Sequence, residues 1–282
     1  MNAHWPSVAI VGVGLIGGSA GRALLGRGLA KRVIGIGRSQ ASLDEARRTR
    51  AVTETSLDPS AVAEADLVLV AAGVSSIPGL LDAVDAEVKP GTLLTDAGST
   101  KASIVSGWER KRSRRRGRFV GSHPLAGSHR RGPQAADEDL FTGRVVVVTP
   151  AKATPPEDVE AVGDFWSALG ATVYLMPPRE HDRIVAATSH APHVMAAAIA
   201  TATPAASLPF TAGGWRDTTR IAAGDAELWA DILLDNAAPL AAAMRQIATA
   251  SERLMAAIEA GDRRRLVTLL SRAKDARDAL GS

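Results

Sequence analysis

The sequence predicts an α/β fold: a doubly wound, mostly parallel sheet in its first part and an all-helical domain after it. Three observations carry that prediction. A glycine turn, Gly12-Val13-Gly14-Leu15-Ile16-Gly17, lies between the apolar run Ser7–Val11 and the helix-forming stretch Ser19–Leu25. Short apolar runs then alternate with helix-like stretches to about residue 150, the pattern of a parallel sheet covered on both faces. After Pro177-Pro178 the strand-like runs stop, and residues 180–203, 225–259 and 262–280 are rich in Ala, Leu, Met, Arg and Glu at helical spacing. The boundary falls near residue 178, giving domains of 1–178 and 179–282.

The elements follow in order. Ser7–Val11 reads as a buried strand, and the glycines after it match G-x-G-x-x-G between a strand and a helix, the signature of a Rossmann-type dinucleotide site. Gly12 allows the tight turn, Gly14 lets the backbone approach a pyrophosphate, and Gly17 lets the helix lie close to the strand. Leu15 and Ile16 open that helix, where unpaired N–H groups and the helix dipole favour phosphate. Further strands are expected at Val33–Ile36, Leu67–Ala72, Leu93–Asp96, Phe119–Ser122 and Val145–Val148, with helices at Ala41–Arg50 and Ser76–Val88. Residues 157–169 read as a helix and Ala171–Leu175 as one more strand. Loops are expected around Gly213-Gly214 and at Gly261. The long apolar faces of the helical part suggest burial against a second copy, a homodimer.

Composition narrows the class. With 46% hydrophobic and 22% charged residues, the 282-residue chain has the balance of a globular protein with a sizeable core. It holds no cysteine, which excludes disulfides, iron–sulfur clusters and thiolate zinc sites and suits a cytoplasmic protein. No signal peptide and no apolar stretch long enough to cross a membrane is read in it. The one dense charge run, Arg110 to Arg118, contains no aromatic residue on which bases could stack. A solvated helix end is preferred there over a nucleic-acid patch, and nucleic acid is not an expected partner.

The cofactor is read at the end of the second strand. NAD sites place a carboxylate there for the ribose 2′-hydroxyl, whereas this chain reads Gly37-Arg38-Ser39-Gln40, with no acid before Asp44. Arg38 and Ser39 suit a 2′-phosphate, so NADP is favoured over NAD. The alternative is that Arg38 lies against the adenine. Ala72 and Asp96, ending the third and fourth runs, complete the expected cofactor-binding group.

Three later segments carry candidate chemistry. In Asp96-Ala97-Gly98-Ser99-Thr100-Lys101, at a strand's carboxyl end, Ser99 can bond a substrate hydroxyl or carboxylate and Lys101 can offer charge. Alternatively, Ser99 and Thr100 only cap the next helix. His123, between a strand end and Pro124, is placed to act as a base near neutral pH. In the helical half, His190 and His193 share a helix face, but no nearby carboxylate or cysteine completes a metal site, so no metal is expected. Arg220 is a natural carboxylate clamp, or else a surface partner of Asp217 or Asp225.

In these pieces, taken in order, the chain resembles the prephenate/arogenate dehydrogenase family of tyrosine biosynthesis. The matching segments are Gly12 to Ser19, Asp96-x-x-Ser99-x-Lys101, His123-Pro-Leu-Ala-Gly127-Ser128, His181-Asp182 with Ser189-His190-x-Pro-His193, and Gly213-Gly214-Trp-Arg-Asp217-x-x-Arg220. The resemblance implies oxidative decarboxylation of a cyclohexadienol, with hydride passing to NAD or NADP as the ring carboxylate leaves as carbon dioxide. By resemblance His123 takes the ring hydroxyl's proton and Ser99 orients both. Arg220 clamps a carboxylate, and His193, His190, Lys101 and Gly213 line the substrate pocket. Trp229 joins them, reached from the partner subunit. The family commonly has an acid where this chain has His129, which tilts the reading towards prephenate over the ammonium-bearing arogenate. The chain ends at Ser282, soon after the helical stretch, so no appended regulatory or mutase domain is expected. Any feedback by tyrosine would then act at the active site. The rival readings are a β-hydroxyacid or imine reductase, which would use a lysine acid in the helical half, and an NADP-sensing or nucleic-acid-binding protein.

Overall fold

The computed structural model describes residues 5–127 and 132–279. His129 lies outside them. Eight strands form one sheet: β1 (Ser7–Val11), β2 (Arg32–Ile36), β3 (Glu54–Ser56), β4 (Leu67–Val70), β5 (Leu93–Asp96), β6 (Arg118–Pro124), β7 (Val145–Thr149) and β8 (Thr172–Leu175). Their order is β3-β2-β1-β4-β5-β6-β7-β8, and every pairing is parallel except β6 with β7. The strand order reverses between β1 and β4. In open α/β sheets ligands bind at such a switch point, outside the carboxyl ends of the strands.

Side-chain alternation explains why both faces are covered. Val8 and Ile10 of β1, with Leu67 and Leu69 of β4, enter one apolar cluster with Ala20, Ala23 and Leu24. The intervening Ala9, Val11, Val68 and Val70 enter a second cluster with Leu81, Val84, Ile104 and Trp108. Helices α1 (Leu15–Gly26), α2 (Gln40–Arg48) and α5 (Pro156–Ala168) supply the first face; α3 (Ile77–Glu87) and α4 (Ala102–Glu109) supply the second.

Beyond β8 the described chain is helical. One continuous helix comprises α6 (Pro178–Val185), a π turn (Ala186–His190) and α7 (Ala191–Ala202). It is followed by α8 (Gly213–Thr219), α9 (Ala226–Asp235), α10 (Ala237–Glu259) and α11 (Arg263–Asp278). The fold class is the one predicted, with local differences. β3 was not foreseen: Glu-Thr-Ser is polar and pairs only at the sheet edge with β2. β6 runs on to Pro124 because its last residues pair with β7, His123 against Val147. Gly213-Gly214, expected as a loop, opens α8, and the expected 225–259 helix breaks at the buried Asn236.

Contrary to the sequence reading, helix Pro178–Ala202 is long and apolar enough, by length and composition, to cross a membrane. It also carries His181, Asp182, His190 and His193, all buried. Three of these bond groups outside the helix, Lys101, His123 and Asn236.

Candidate active site

The glycine turn lies at the switch point. Gly12 adopts φ +96°, and a Cβ there would meet the Ala71 carbonyl at 2.2 Å. A Cβ on Gly17 would meet the Gly12 carbonyl at 2.1 Å. Gly14 differs, with no protein atom within 4 Å of its Cβ position. Its open side suits a ligand's pyrophosphate approaching the start of α1, where Leu15 and Ile16 stand. Beside the turn a cavity of about 480 Å³ is lined by Gly12, Gly37, Arg38, Leu57, Ala72 and Ser76 among others. These residues fit the adenosine half of a dinucleotide. Arg38 is exposed at this cavity. The Ser39 hydroxyl caps α2 by accepting from Ser42 N at 3.4 Å, and Asp44 is engaged with Gln40 at 2.8 Å.

Two expected ligand contacts are corrected. Lys101 has no exposed surface, and its ammonium pairs with Asp96, itself fully buried, and donates to the Ser122 carbonyl at 2.9 Å. Asp96 also accepts from Gly98 N at 2.8 Å and Ser122 N at 3.1 Å. Neither charged group is therefore offered to substrate or cofactor. A buried charge is tolerated when it is paired and hydrogen-bonded, and this pair ties β5, β6 and the start of α4 together. Burial pushes the Lys101 ammonium below its ordinary pKa, against the pull of Asp96.

Helix α4 is not capped by Ser99 or Thr100. The Asp182 carboxylate, from the second domain, accepts from Lys101 N and Ala102 N, each at 2.8 Å. Thr100 and Ser103 instead donate to Asp235 at 2.6 and 2.8 Å. Ser99 is half-buried, and its hydroxyl has no partner among the described residues.

His123, next to last in β6, pairs with Val147 of β7, and its Nδ1 lies 2.8 Å from Nε2 of His181. His181 Nδ1 lies 2.8 Å from Asp182 Oδ1. Burial, followed by the nearby charges of His181, Lys101 and His190, pushes His123 well below 6.5. At neutral pH it is an uncharged imidazole, the state that accepts a proton.

The π turn arranges the second cluster. Nine residues separate His181 from His190, and at about 100° per residue a regular helix would put them on opposite sides. The wider turn brings them to about 90° apart, so both face the interior. Asn236 Nδ2 bridges the Asp182 carbonyl at 2.8 Å and His190 Nδ1 at 3.0 Å. Burial lowers His190 to about 4. His193 stacks on Trp229, with ring centroids 3.6 Å apart and planes 14° off parallel, and its Nδ1 is buried without a partner. Trp229 thus meets His193 of its own chain. Arg220 is exposed and forms no ion pair with Asp217 or any other described residue. Its turn, Arg220–Ala223, packs against α7. Gly213 is exposed at the start of α8 with open space around it. No group of three potential metal ligands occurs among the described residues.

Most of the basic run is exposed, as expected of a solvated helix end, but part of it is tied back to the fold. Arg115 lies 4.1 Å over Trp108 and pairs with Asp82 at 2.7 Å. Lys111 also reaches Asp82, Arg116 donates to the Ala86 carbonyl, and Arg118 pairs with Asp158. These contacts tie the α4–β6 connection to α3 and α5.

Two roles escaped sequence reasoning: the His181-Asp182 pair behind His123, and the Asn236 bridge. Neither leaves a periodic signal; His181-Asp182 stood out only as one segment of the family resemblance, which gave it no role.

A doubly wound nucleotide-binding sheet joined to a helical domain through a histidine-bearing interface defines a dinucleotide-dependent oxidoreductase. Two family descriptions match: the prephenate dehydrogenase nucleotide-binding domain over residues 20–175 and the prephenate dehydrogenase dimerization domain over residues 177–272. The chain is 32% identical to the cyclohexadienyl dehydrogenase of Zymomonas mobilis, covering 97% of this chain and 95% of that one. It superposes on the Aquifex aeolicus prephenate dehydrogenase solved with hydroxyphenyl propionate and NAD+, with a TM-score of 0.90, 27% identity and coverage of 97% and 98%. For Synechocystis arogenate dehydrogenase the TM-score is 0.84 at 27% identity, with coverage of 97% and 99%. The chain belongs to the prephenate dehydrogenase family.

Proposed function

We propose that this enzyme catalyses NADP-linked oxidative decarboxylation of prephenate to 4-hydroxyphenylpyruvate, with arogenate, converted to tyrosine, as the second substrate. The observation that carries the reading is His123, held uncharged at the carboxyl edge of the sheet beside the nucleotide site. The bound nicotinamide nucleotide supplies the hydride acceptor for the carbinol carbon. His123 takes the proton of the ring hydroxyl as that carbon is oxidised. The electron pair of the ring–carboxylate bond enters the ring as carbon dioxide leaves, and the aromatic product's phenolic oxygen recovers the proton. Ser99, whose hydroxyl is unengaged, orients the ring hydroxyl. Arg220 clamps a substrate carboxylate, and the unpartnered Nδ1 of His193 gives it a second polar contact. Lys101 and Asp96 hold the strand end that carries His123.

Prephenate is preferred on the resemblance alone: the sequence has His129 where the family commonly has an acid, which would favour arogenate's ammonium. NADP is preferred because Arg38, and no carboxylate, faces the adenosine cavity. Arg38→Ala should weaken NADP binding about 10-fold while leaving NAD nearly unchanged; equal losses would remove Arg38 from that role. The exposed Leu234, Met255, Ile258 and Leu270 of α9 to α11 suit a homodimer through the helical domain. The absence of cysteine suits a cytoplasmic enzyme.

The function is tested by mixing the enzyme with prephenate or arogenate and NAD or NADP, following reduced nucleotide by absorbance. Turnover is expected with prephenate and NADP above the other three mixtures. No reduced nucleotide in any mixture sinks the reading.

A further inference from the structure

The contacts behind His123 have a direction. A carboxylate only accepts hydrogen bonds, so the proton between His181 and Asp182, 2.8 Å apart, sits on His181 Nδ1. If His181 is uncharged, its single N–H on Nδ1 leaves Nε2 as an acceptor. The proton in the next contact, also 2.8 Å, then sits on His123 Nδ1, and His123 Nε2 is left bare.

We propose that His181 and Asp182 are positioning residues that hold His123 in its Nδ1–H tautomer, so that Nε2 is the atom accepting the substrate's proton. This rests on the reading of His123 as the proton acceptor.

The surroundings suit Asp182 to the task. Its two oxygens accept from Lys101 N and Ala102 N at the first turn of α4, where the helix dipole favours an anion. Burial works against its ionised form, but hydrogen bonds from His181, Ala102 and Lys101 outweigh that and hold its pKa below the ordinary carboxylate value. Asp182 therefore stays charged without taking a proton from His181. The imidazole of His181 is almost fully buried and meets the His123 ring edge-on, with planes 75° apart and centroids 5.0 Å apart. Free neutral histidine favours the opposite tautomer, with the proton on Nε2. Unaided, His123 would then present a donor to the ring hydroxyl where an acceptor is needed. Because His123 lies on β6 and its two supports lie on α6, the lock forms only when the helical domain is seated on the sheet. The same Asp182 carboxylate that caps α4 seats it there.

The test is a nitrogen-15 NMR spectrum of the full-length enzyme labelled at histidine, at neutral pH, together with kinetics of two variants. In the unmodified enzyme, His123 is expected to show a protonated Nδ1 and an unprotonated Nε2. His181→Leu is expected to move the proton to Nε2 and lower kcat at least about 10-fold with KM for the nucleotide unchanged. His181→Gln, whose amide offers an acceptor and a donor at imidazole-like spacing, is expected to restore most of kcat. A protonated His123 Nε2 in the unmodified enzyme overturns the proposal, and so does unmodified kcat in a folded His181→Leu variant. The NMR result needs no turnover, so failure of the tautomer lock is distinguishable from failure of the dehydrogenase reading, which shows as an unmodified enzyme that reduces no nucleotide.

Discussion

Replacing Lys101 with methionine isolates the buried charge pair at the root of the site. Methionine keeps an unbranched side chain of similar length, so the packing around a residue with no exposed surface is largely preserved. The Asp96 carboxylate is then left buried without its cation. Breaking a buried pair from one side costs about 3–5 kcal/mol. Here the lower end applies, because Asp96 keeps the N–H groups of Gly98 and Ser122 at 2.8 and 3.1 Å. About 3 kcal/mol corresponds to a fall of about 6–12 °C in melting temperature for a domain of this size. The assay is thermal and urea unfolding followed by circular dichroism, for Lys101→Met alone and with Asp96→Asn. The double variant should recover at least half of the loss, since the unpaired charge is gone. A melting temperature within 2 °C of the unmodified protein would refute the reasoning, and so would a double variant no more stable than the single one.

His123→Asn should lower kcat at least about 100-fold with nucleotide affinity nearly intact, measured by steady-state kinetics and nucleotide titration. In the unmodified enzyme the acid limb of kcat should lie well below pH 6.5, because burial, with His181, Lys101 and His190 nearby, keeps His123 neutral. Gly14→Ala should leave the melting temperature unchanged, since no protein atom lies near the added carbon, yet weaken nucleotide binding in calorimetry. His190, lowered to about 4 in the folded state, binds its proton more readily when unfolded. Stability should therefore fall as pH drops from about 6.5 to 4, by up to about 3 kcal/mol from this group. Urea midpoints across that range should fall less steeply for His190→Gln.

Where burial and backbone geometry dictate residue type, the sequence was readable. The alternating apolar runs of β1 and β4 are buried on both faces, and so read as strands without further context. Gly12 and Gly17 must be glycine because carbonyl oxygens occupy the space of a Cβ, and the turn motif states this directly. β3 was hidden because an edge strand of Glu, Thr and Ser has no apolar pattern. Lys101 misled because a strand-end lysine in a ligand-binding region reads as an offered charge, and only the fold brings Asp96 and the Ser122 carbonyl to it. Capping of α4 by neighbouring Ser99 and Thr100 was the alternative to their ligand role, whereas the cap is Asp182, about 80 residues away in sequence and unforeseeable from local propensity. The π turn likewise has no sequence signature, so the shared orientation of His181 and His190 emerges only in three dimensions.

The central claim is that hydride transfer and loss of the ring carboxylate occur together at His123. It is tested most directly by measuring carbon dioxide released per nucleotide reduced, with prephenate labelled in its ring carboxylate. The account predicts one labelled carbon dioxide for each reduced nucleotide, both lost together in His123→Asn. Reduced nucleotide without labelled carbon dioxide would contradict it and point instead to a simple hydroxyacid dehydrogenase.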